Sequence, residues 1–196
     1  DLHHPKAPPR EETMTSPQQC VCCLSQENDP FLRGLCKCRR CGHVWADMHL
    51  PDEELRRIYV SNYFKGEEYL DYEREKPALE KNFRSRLRDL KRRHRPGEHL
   101  WEIGTAYGFF LEAANEYFHA AGCDISEHAV AHARNTLGLN VTAGDYLEMP
   151  PPEKPHDIVC LWDTIEHIRA PHLYPEKASK ELRPGGTLAL STGDIS

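Results

Sequence analysis

Residues 99–114, HLWEIGTAYGFFLEAA, pass from an apolar, strand-like segment (Leu100 to Ile103) into a glycine turn, Gly104-Thr105-Ala106-Tyr107-Gly108. They continue as a helical pattern through Phe109, Phe110, Leu111, Ala113 and Ala114. A strand, a glycine turn and a helix in that order cradle nucleotide-like ligands. The alternation continues along the chain. Strand patterns fall at 99–103, 118–123, 139–142, 157–162 and 187–191, with helical patterns at 108–116, 126–136 and 173–182. This order predicts an α/β domain built on a doubly wound, mostly parallel sheet with helices on both faces. Ligands of such sheets bind at the carboxyl ends of the strands.

The turn is not a dinucleotide loop, which needs G-x-G-x-x-G to bring backbone against a pyrophosphate. Here the spacing is Gly104-x-x-x-Gly108, and Glu102 stands two residues before the first glycine. A carboxylate there is a poor neighbour for phosphate and suits a ligand with a positive group. Taken singly, G-x-x-x-G is also met as a packing glycine pair, and Asp124 is also explained as a helix N-terminal acid before Ile125-Ser126-Glu127.

Taken together, these residues resemble the class I S-adenosylmethionine-dependent methyltransferases. Their first motif reads acid-x-Gly-x-x-x-Gly, matched by Glu102-Ile103-Gly104-Thr105-Ala106-Tyr107-Gly108. AAGCDIS places Asp124 twenty residues after Gly104, AGDYLEMP supplies Gly144-Asp145-Tyr146, and DIVCLWDTIEHI (157–168) resembles the fourth-strand motif. ELRPGGTLALST (181–192) resembles the fifth, with Pro184-Gly185-Gly186 as the turn into the strand.

The resemblance implies strand order 3-2-1-4-5 and S-adenosylmethionine as cofactor. It implies cofactor contacts from Glu102, Gly104, Thr105, Ala106, Gly108, Asp124, Ile125, Asp145, Tyr146 and Trp162. Asp124 would grip the ribose, since one carboxylate can accept from both hydroxyls. Asp145 would lie near the adenine, with Tyr146 stacking or packing beside it. Glu166 and His167, just past the fourth strand, are the catalytic candidates. His167 comes first because imidazole titrates near neutrality, and related sugar methyltransferases use a Glu-His pair at this place. A histidine that merely caps a helix or binds backbone is the competing reading. Asp163 and Trp162 are expected to line the cofactor or shape the pocket.

Six of the eight cysteines crowd into residues 20–41. No apolar h-region stands at the N-terminus, so no secretory signal is expected there, and clustered thiols then point to metal more than to disulfides. Cys20-x-x-Cys23 and Cys38-x-x-Cys41 are separated by fourteen residues, and two such pairs can close a tetrahedral zinc site. Four sulfur ligands would make that site structural and not catalytic. Cys22 or Cys36 could replace a neighbour, and His43 is a remote candidate.

The expected organisation is a disordered tail over 1–19, a small zinc-ribbon module over 20–50, a helical lid or linker over 51–97 and the cofactor-binding domain over 98–196. Met14 is the expected natural start. Pro51-Asp52-Glu53-Glu54 opens a helix, and Tyr59, Tyr63, Phe64, Tyr69 and Tyr72 could form a lid or a plain core stripe. Leu79, Phe83, Leu87 and Leu90 recur at helical spacing before Pro96-Gly97. Residues 74–95 carry ten Lys/Arg against three acids, read mainly as a solvated face.

A net charge of −6 argues against general nucleic-acid affinity, and no apolar run is long enough to span a bilayer. A zinc ribbon, an aromatic-rich stretch and a methyltransferase core in that order look like a subgroup acting on small molecules. The resemblance thus implies a cytoplasmic methyltransferase for a small molecule, such as a sugar or secondary-metabolite intermediate. An RNA methyltransferase using Arg84, Arg88, Arg92 and Arg93 on phosphates is the competing enzyme, and a non-catalytic scaffold of the same fold is the competing non-enzyme. The sequence ends directly after strand five, where the resembled family continues with two more strands. The expectation is therefore a fragment whose fifth strand is an open edge, with Leu188 and Leu190 poorly covered and oligomerisation possible through that edge.

Overall fold

The short strands of the N-terminal half and the longer ones of the C-terminal half form two separate sheets. The computed structural model describes residues 19–32, 34–46, 68–168 and 170–193, excluding the side chains of residues 68–78 and of Glu80. The expected tail over 1–18, the helix from Pro51 and the aromatics Tyr59, Tyr63 and Phe64 lie outside the described residues, as do the side chains of Tyr69 and Tyr72. The chain divides into two compact units, Asp1–His49 and Leu50–Ser196.

In the first unit, β1 (Asn28–Leu32), β2 (Leu35–Cys38) and β3 (Val44–Ala46) form an antiparallel sheet in sequential order. Leu24, Phe31 and Leu32 stay exposed at its surface, and Trp45 is half-buried against the His43 ring. The side chains fully buried here are Cys20 and Cys38.

In the second unit, α1 (Glu68–Lys91) leads to β4 (His99–Ile103), α2 (Phe109–Asn115), β5 (His119–Asp124), α3 (Glu127–Leu137) and β6 (Val141–Ala143). β7 (His156–Trp162), α4 (Leu173–Glu181) and β8 (Leu182–Ser191) follow. All five strands are parallel and lie in the order β6-β5-β4-β7-β8, the expected 3-2-1-4-5 arrangement. Central strands buried on both faces send alternate residues to opposite cores. Leu100, Ile158 and Cys160 join Phe83, Phe110 and Val130 on one side, while Ile103, Val159 and Leu161 meet Tyr146, Tyr174 and Ala178 on the other.

Over its described part the helix α1 packs on the sheet's first core. Phe83, Leu87 and Leu90 are buried in the first core, Phe83 edge-on to Phe110. The apolar stripe at helical spacing has one place to go, and it is this core. The Pro-Gly-Gly turn sits inside β8, where the pairing skips from His156↔Leu182 to Ile158↔Thr187. The strand bulges at Pro184, a residue that has no amide to donate. Among the described residues β8 pairs with β7 alone; Leu190 is exposed, whereas Leu188 packs against the second core. No described helix is long and apolar enough to cross a membrane.

Candidate functional site

The carboxyl ends of β4, β5, β6 and β7 gather most of the expected site residues at one edge of the sheet. Gly104 and Thr105 each donate their backbone N–H to Cys123 O of β5 (2.8 and 3.1 Å), which folds the loop after β4 over the neighbouring strand. Gly104 (φ 78°) and Gly108 (φ 84°) both take left-handed backbone, a conformation open to glycine at little cost. Space demands glycine as well: a Cβ on Gly104 would lie 2.5 Å from Thr164 Oγ1, and one on Gly108 2.5 Å from Leu139 Cδ1. Between them Ala106 is left-handed too (φ 45°), uncommon for a residue with a side chain. Its amide is held by Asp124, as follows.

Asp124 ends β5 and is 8% exposed. Its Oδ2 accepts from Ala106 N and its Oδ1 from Ser126 N, both at 2.8 Å. Burial raises its pKa, and the amides of Ser126 and Ala106 offset part of that. The helix-opening role falls to Ser126, whose hydroxyl accepts from Ala129 N at the start of α3. Asp124 thus ties the glycine loop to β5, and Ile125 beside it is 52% exposed. Glu102, on β4, is buried at 3% exposure, and its Oε2 finds no hydrogen-bond partner among the described residues. Burial raises its pKa well above the ordinary carboxylate range, the nearby Asp124 adds to this, and Arg86 counters it. The buried Thr105 Oγ1 is likewise without a partner. A cationic hydrogen-bond donor entering here would satisfy both charge and geometry.

After β6, Asp145 is half-buried and caps a short 3-10 turn (Tyr146–Glu148), its Oδ1 accepting from Leu147 N (2.9 Å) and from the Tyr174 hydroxyl (2.8 Å). Tyr146 does not face the ligand edge. It is 3% exposed in the second core, with its hydroxyl donating to Glu181 Oε2 on α4 at 2.5 Å. Of the two expected placements, stacking or packing, the structure shows the ring packed in the second core, because the 3-10 turn that Asp145 caps carries it inward.

At the end of β7, Trp162 is half-buried, edge-on to Phe110 at 5.3 Å, with its Nε1 buried and without a partner. Asp163 turns left-handed (φ 50°) and leads through Thr164 into a second 3-10 turn, Ile165–His167. Glu166 and His167 are exposed on that turn, and Glu166 Oε1 accepts from Gly193 N at 3.3 Å.

Arg86 was not singled out by the sequence, yet it reaches this edge from α1. Its Nη2 donates to Asp163 Oδ2 at 2.8 Å, and its guanidinium lies 4.8 Å from the Trp162 ring centroid. Partial burial alone would raise the Asp163 carboxyl; the hydrogen bonds from Arg86 and Ser191 outweigh it and hold the pKa down. The available signal was spacing: Arg86 follows Phe83 by three residues, which sets it beside the buried stripe and not on the solvated face.

In the first unit, the sulfurs of Cys20, Cys23, Cys38 and Cys41 all lie within 4.8 Å of one another, with Cys20–Cys41 at 3.6 Å and Cys23–Cys38 at 3.5 Å. Tetrahedral thiolates about 2.3 Å from an ion stand roughly 3.8 Å apart, so the cluster has the dimensions of a closed four-sulfur site. Cys22 and Cys36 are not part of it, and neither is His43. The amides of Cys41 and Arg40 point at the Cys38 sulfur and lower its pKa, while the neighbouring Cys23 thiol is raised, so the pair favours one thiolate on Cys38.

Residues 72–196 match the methyltransferase domain family. The chain belongs to the class I S-adenosylmethionine-dependent methyltransferases. A curated relative from Mycolicibacterium smegmatis (strain ATCC 700084 / mc(2)155), described as a "Probable S-adenosylmethionine-dependent methyltransferase/", is 29% identical over 98 residues, 49% of this chain and 38% of its own length. The chain therefore spans well under half of that relative. Among solved structures, the methyltransferase fold is shared with the N-methyltransferase NodS of Bradyrhizobium japonicum WM9 in complex with S-adenosyl-L-homocysteine. The TM-score is 0.52 and the identity 18%, over 70% of each chain. It is also shared with a chain of the Haloferax volcanii complex between the Trm112 methyltransferase activator and its methyltransferase partner (TM-score 0.52, identity 24%, covering 61% of this chain and 56% of that one).

Proposed function

We propose that the protein transfers a methyl group from S-adenosylmethionine to a small-molecule acceptor, such as a sugar or secondary-metabolite intermediate. The observation that carries the cofactor reading is the buried Glu102 carboxylate, whose Oε2 lacks a partner beside a glycine loop that leaves no room for a Cβ. Glu102 and Thr105 would receive the ammonium end of the cofactor, Arg86 its carboxylate, Gly104, Ala106 and Gly108 would let it lie against backbone, and Asp124 would take the ribose hydroxyls. Ile125 offers apolar surface for the base, Asp145 a carboxylate for its edge, and Trp162 a wall at the far end. When bound, S-adenosylmethionine supplies an electrophilic methyl on a sulfonium, so the leaving group is already good. The chain's task is then alignment, which is worth roughly 7–11 kcal/mol, and removal of a proton where the acceptor carries one. His167 takes that proton on an imidazole nitrogen, with Glu166 beside it orienting the acceptor or the ring. The acidic balance of the whole chain, −6, supports a small acceptor over a polyanion. Zinc in the four-cysteine site would have a structural role.

Calorimetric titration with S-adenosylmethionine and, separately, with NADH tests the cofactor reading. Micromolar binding of the first alone is expected, and NADH binding in its place would overturn it. Asp124→Ala should weaken cofactor binding by at least about tenfold, losing a charge-assisted contact and loosening Ala106 as well. An unchanged affinity would mean that the ribose lies elsewhere. His167→Ala should leave cofactor affinity unchanged and lower turnover by about 10²–10⁴ in a full-length enzyme offered its acceptor. Undiminished turnover would make His167 a structural residue.

A further inference from the structure

Asp145 has two oxygens in unlike situations. Oδ1 accepts from the Leu147 amide at 2.9 Å and from the Tyr174 hydroxyl at 2.8 Å, while the hydrogen bonds described in the structure leave Oδ2 clear of protein donors. The Leu147 bond is local, two residues along the chain. The Tyr174 bond comes from the first turn of α4, 29 residues away, and so fixes the carboxylate against the rest of the domain. Tyr174 is itself held: it is buried in the second core and its ring lies 5.9 Å from that of Tyr146. Tyr146 in turn donates to Glu181, which pairs with Lys177 at 3.0 Å. Both tyrosines and both partners of Glu181 thus rest on one helix or the turn above it, and the Tyr174 bond orients Asp145 from that helix.

We propose that Tyr174 is a positioning residue for base selectivity: it pins Oδ1 of Asp145 so that Oδ2 meets an N–H donor on the edge of the cofactor's base. This rests on the cofactor reading given above and adds the source of its discrimination. A carboxylate oxygen accepts and never donates when ionised. Held in place, it favours a base with an exocyclic amino group and opposes one with a carbonyl oxygen at that position, because two acceptors face each other. Burial and the bond to Asp145 both raise the Tyr174 pKa, so the hydroxyl stays a donor across the working range. Free to rotate, the same carboxylate can turn its charge to solvent and the discrimination fades.

The test compares S-adenosylhomocysteine with its deaminated analogue S-inosylhomocysteine by calorimetry on the whole chain, for the wild type, Tyr174→Phe, Asp145→Asn and the double variant. The wild type should prefer the amino form by on the order of tenfold or more, the size of a hydrogen bond to a charged group. Tyr174→Phe keeps the ring and the packing, and should reduce that preference to within about threefold while thermal stability changes little. Asp145→Asn should do the same, and the double variant should lose no more than either alone, since both changes act through one carboxylate. A Tyr174→Phe protein that retains the wild-type preference, or losses that add in the double variant, would overturn the role of Tyr174 and leave the cofactor reading standing. A wild type that binds neither compound would overturn both.

Discussion

Treating the protein with a strong chelator, or replacing Cys38 with serine, is expected to unfold residues 20–46, where four cysteine sulfurs have the dimensions of a zinc site. The reason lies in what that unit buries. Its three strands are five, four and three residues long, and Leu24, Phe31 and Leu32 remain exposed. No apolar cluster among the described residues draws on this unit; its interior is Cys20 and Cys38. A sheet so small gains too little from hydrophobic burial to hold itself together. Binding of structural zinc by four thiolates supplies about 10–16 kcal/mol at neutral pH, and in such modules that is folding free energy. Chelation should also raise the apparent thiol count by four reactive sulfurs. Residue-resolved hydrogen exchange is the deciding measurement. Amides in β1, β2 and β3 should lose protection after chelation while those of β4, β5 and β7 keep theirs. Persistent protection of Cys38 N, which donates to His43 O at 2.8 Å, would show that the module folds without its ion.

The second large effect is expected at Gly104. Gly104→Ala should lower stability by about 2–4 kcal/mol, combining a left-handed residue that now carries a side chain with a steric clash. Cofactor affinity should fall by about a hundredfold or more, because the loop that must approach the ligand is the part displaced. The clash is specific. The added Cβ would lie 2.5 Å from Thr164 Oγ1, 2.6 Å from its Cγ2 and 3.1 Å from its Cβ. Thr164 cannot simply rotate away without loss, since its hydroxyl donates to Trp162 O at 3.0 Å. Adding Thr164→Ala removes the two closest contacts and should recover part of the stability. Thermal unfolding and calorimetry on the single and double variants read the two consequences separately. A Gly104→Ala protein with native stability and affinity would mean that the loop does not approach the ligand as closely as its geometry indicates.

The elements of the second unit were legible because each is specified over a few neighbouring residues. The short apolar run stopped by Gly104 reads as a buried strand, and Ser126 before Glu127 reads as a helix cap. The cysteine pairs were legible for the same reason, since C-x-x-C sets two sulfurs in one turn. The spacing named Cys20, Cys23, Cys38 and Cys41 and left Cys22 and Cys36 open as replacements; setting those two aside needed the fold. In β2, Cys36 and Cys38 share a face by alternation, but Cys38 alone sits at the strand end, where the turn to Cys41 brings its sulfur to the cluster. Tyr146 is a second case. The spacing left open whether Tyr146, beside Asp145, would stack on a ligand or pack. The turn carries it into the core, where its hydroxyl finds Glu181.

By itself, then, the sequence determined the order of strands and helices, the glycine turn with its acid, and the two thiol pairs. All of these are short-range, carried by spacing, turn chemistry and hydrophobic period. The tertiary structure decided what meets across long separations. Arg86 and Asp163 are 77 residues apart and Tyr174 and Asp145 are 29 apart, and no local pattern ties either pair together. Side chains on distant elements come into contact only when parallel strands, ordered by crossover connections, bring their carboxyl ends to one edge. That ordering is a property of the whole packed sheet, and it turns separate acids and bases into a single site.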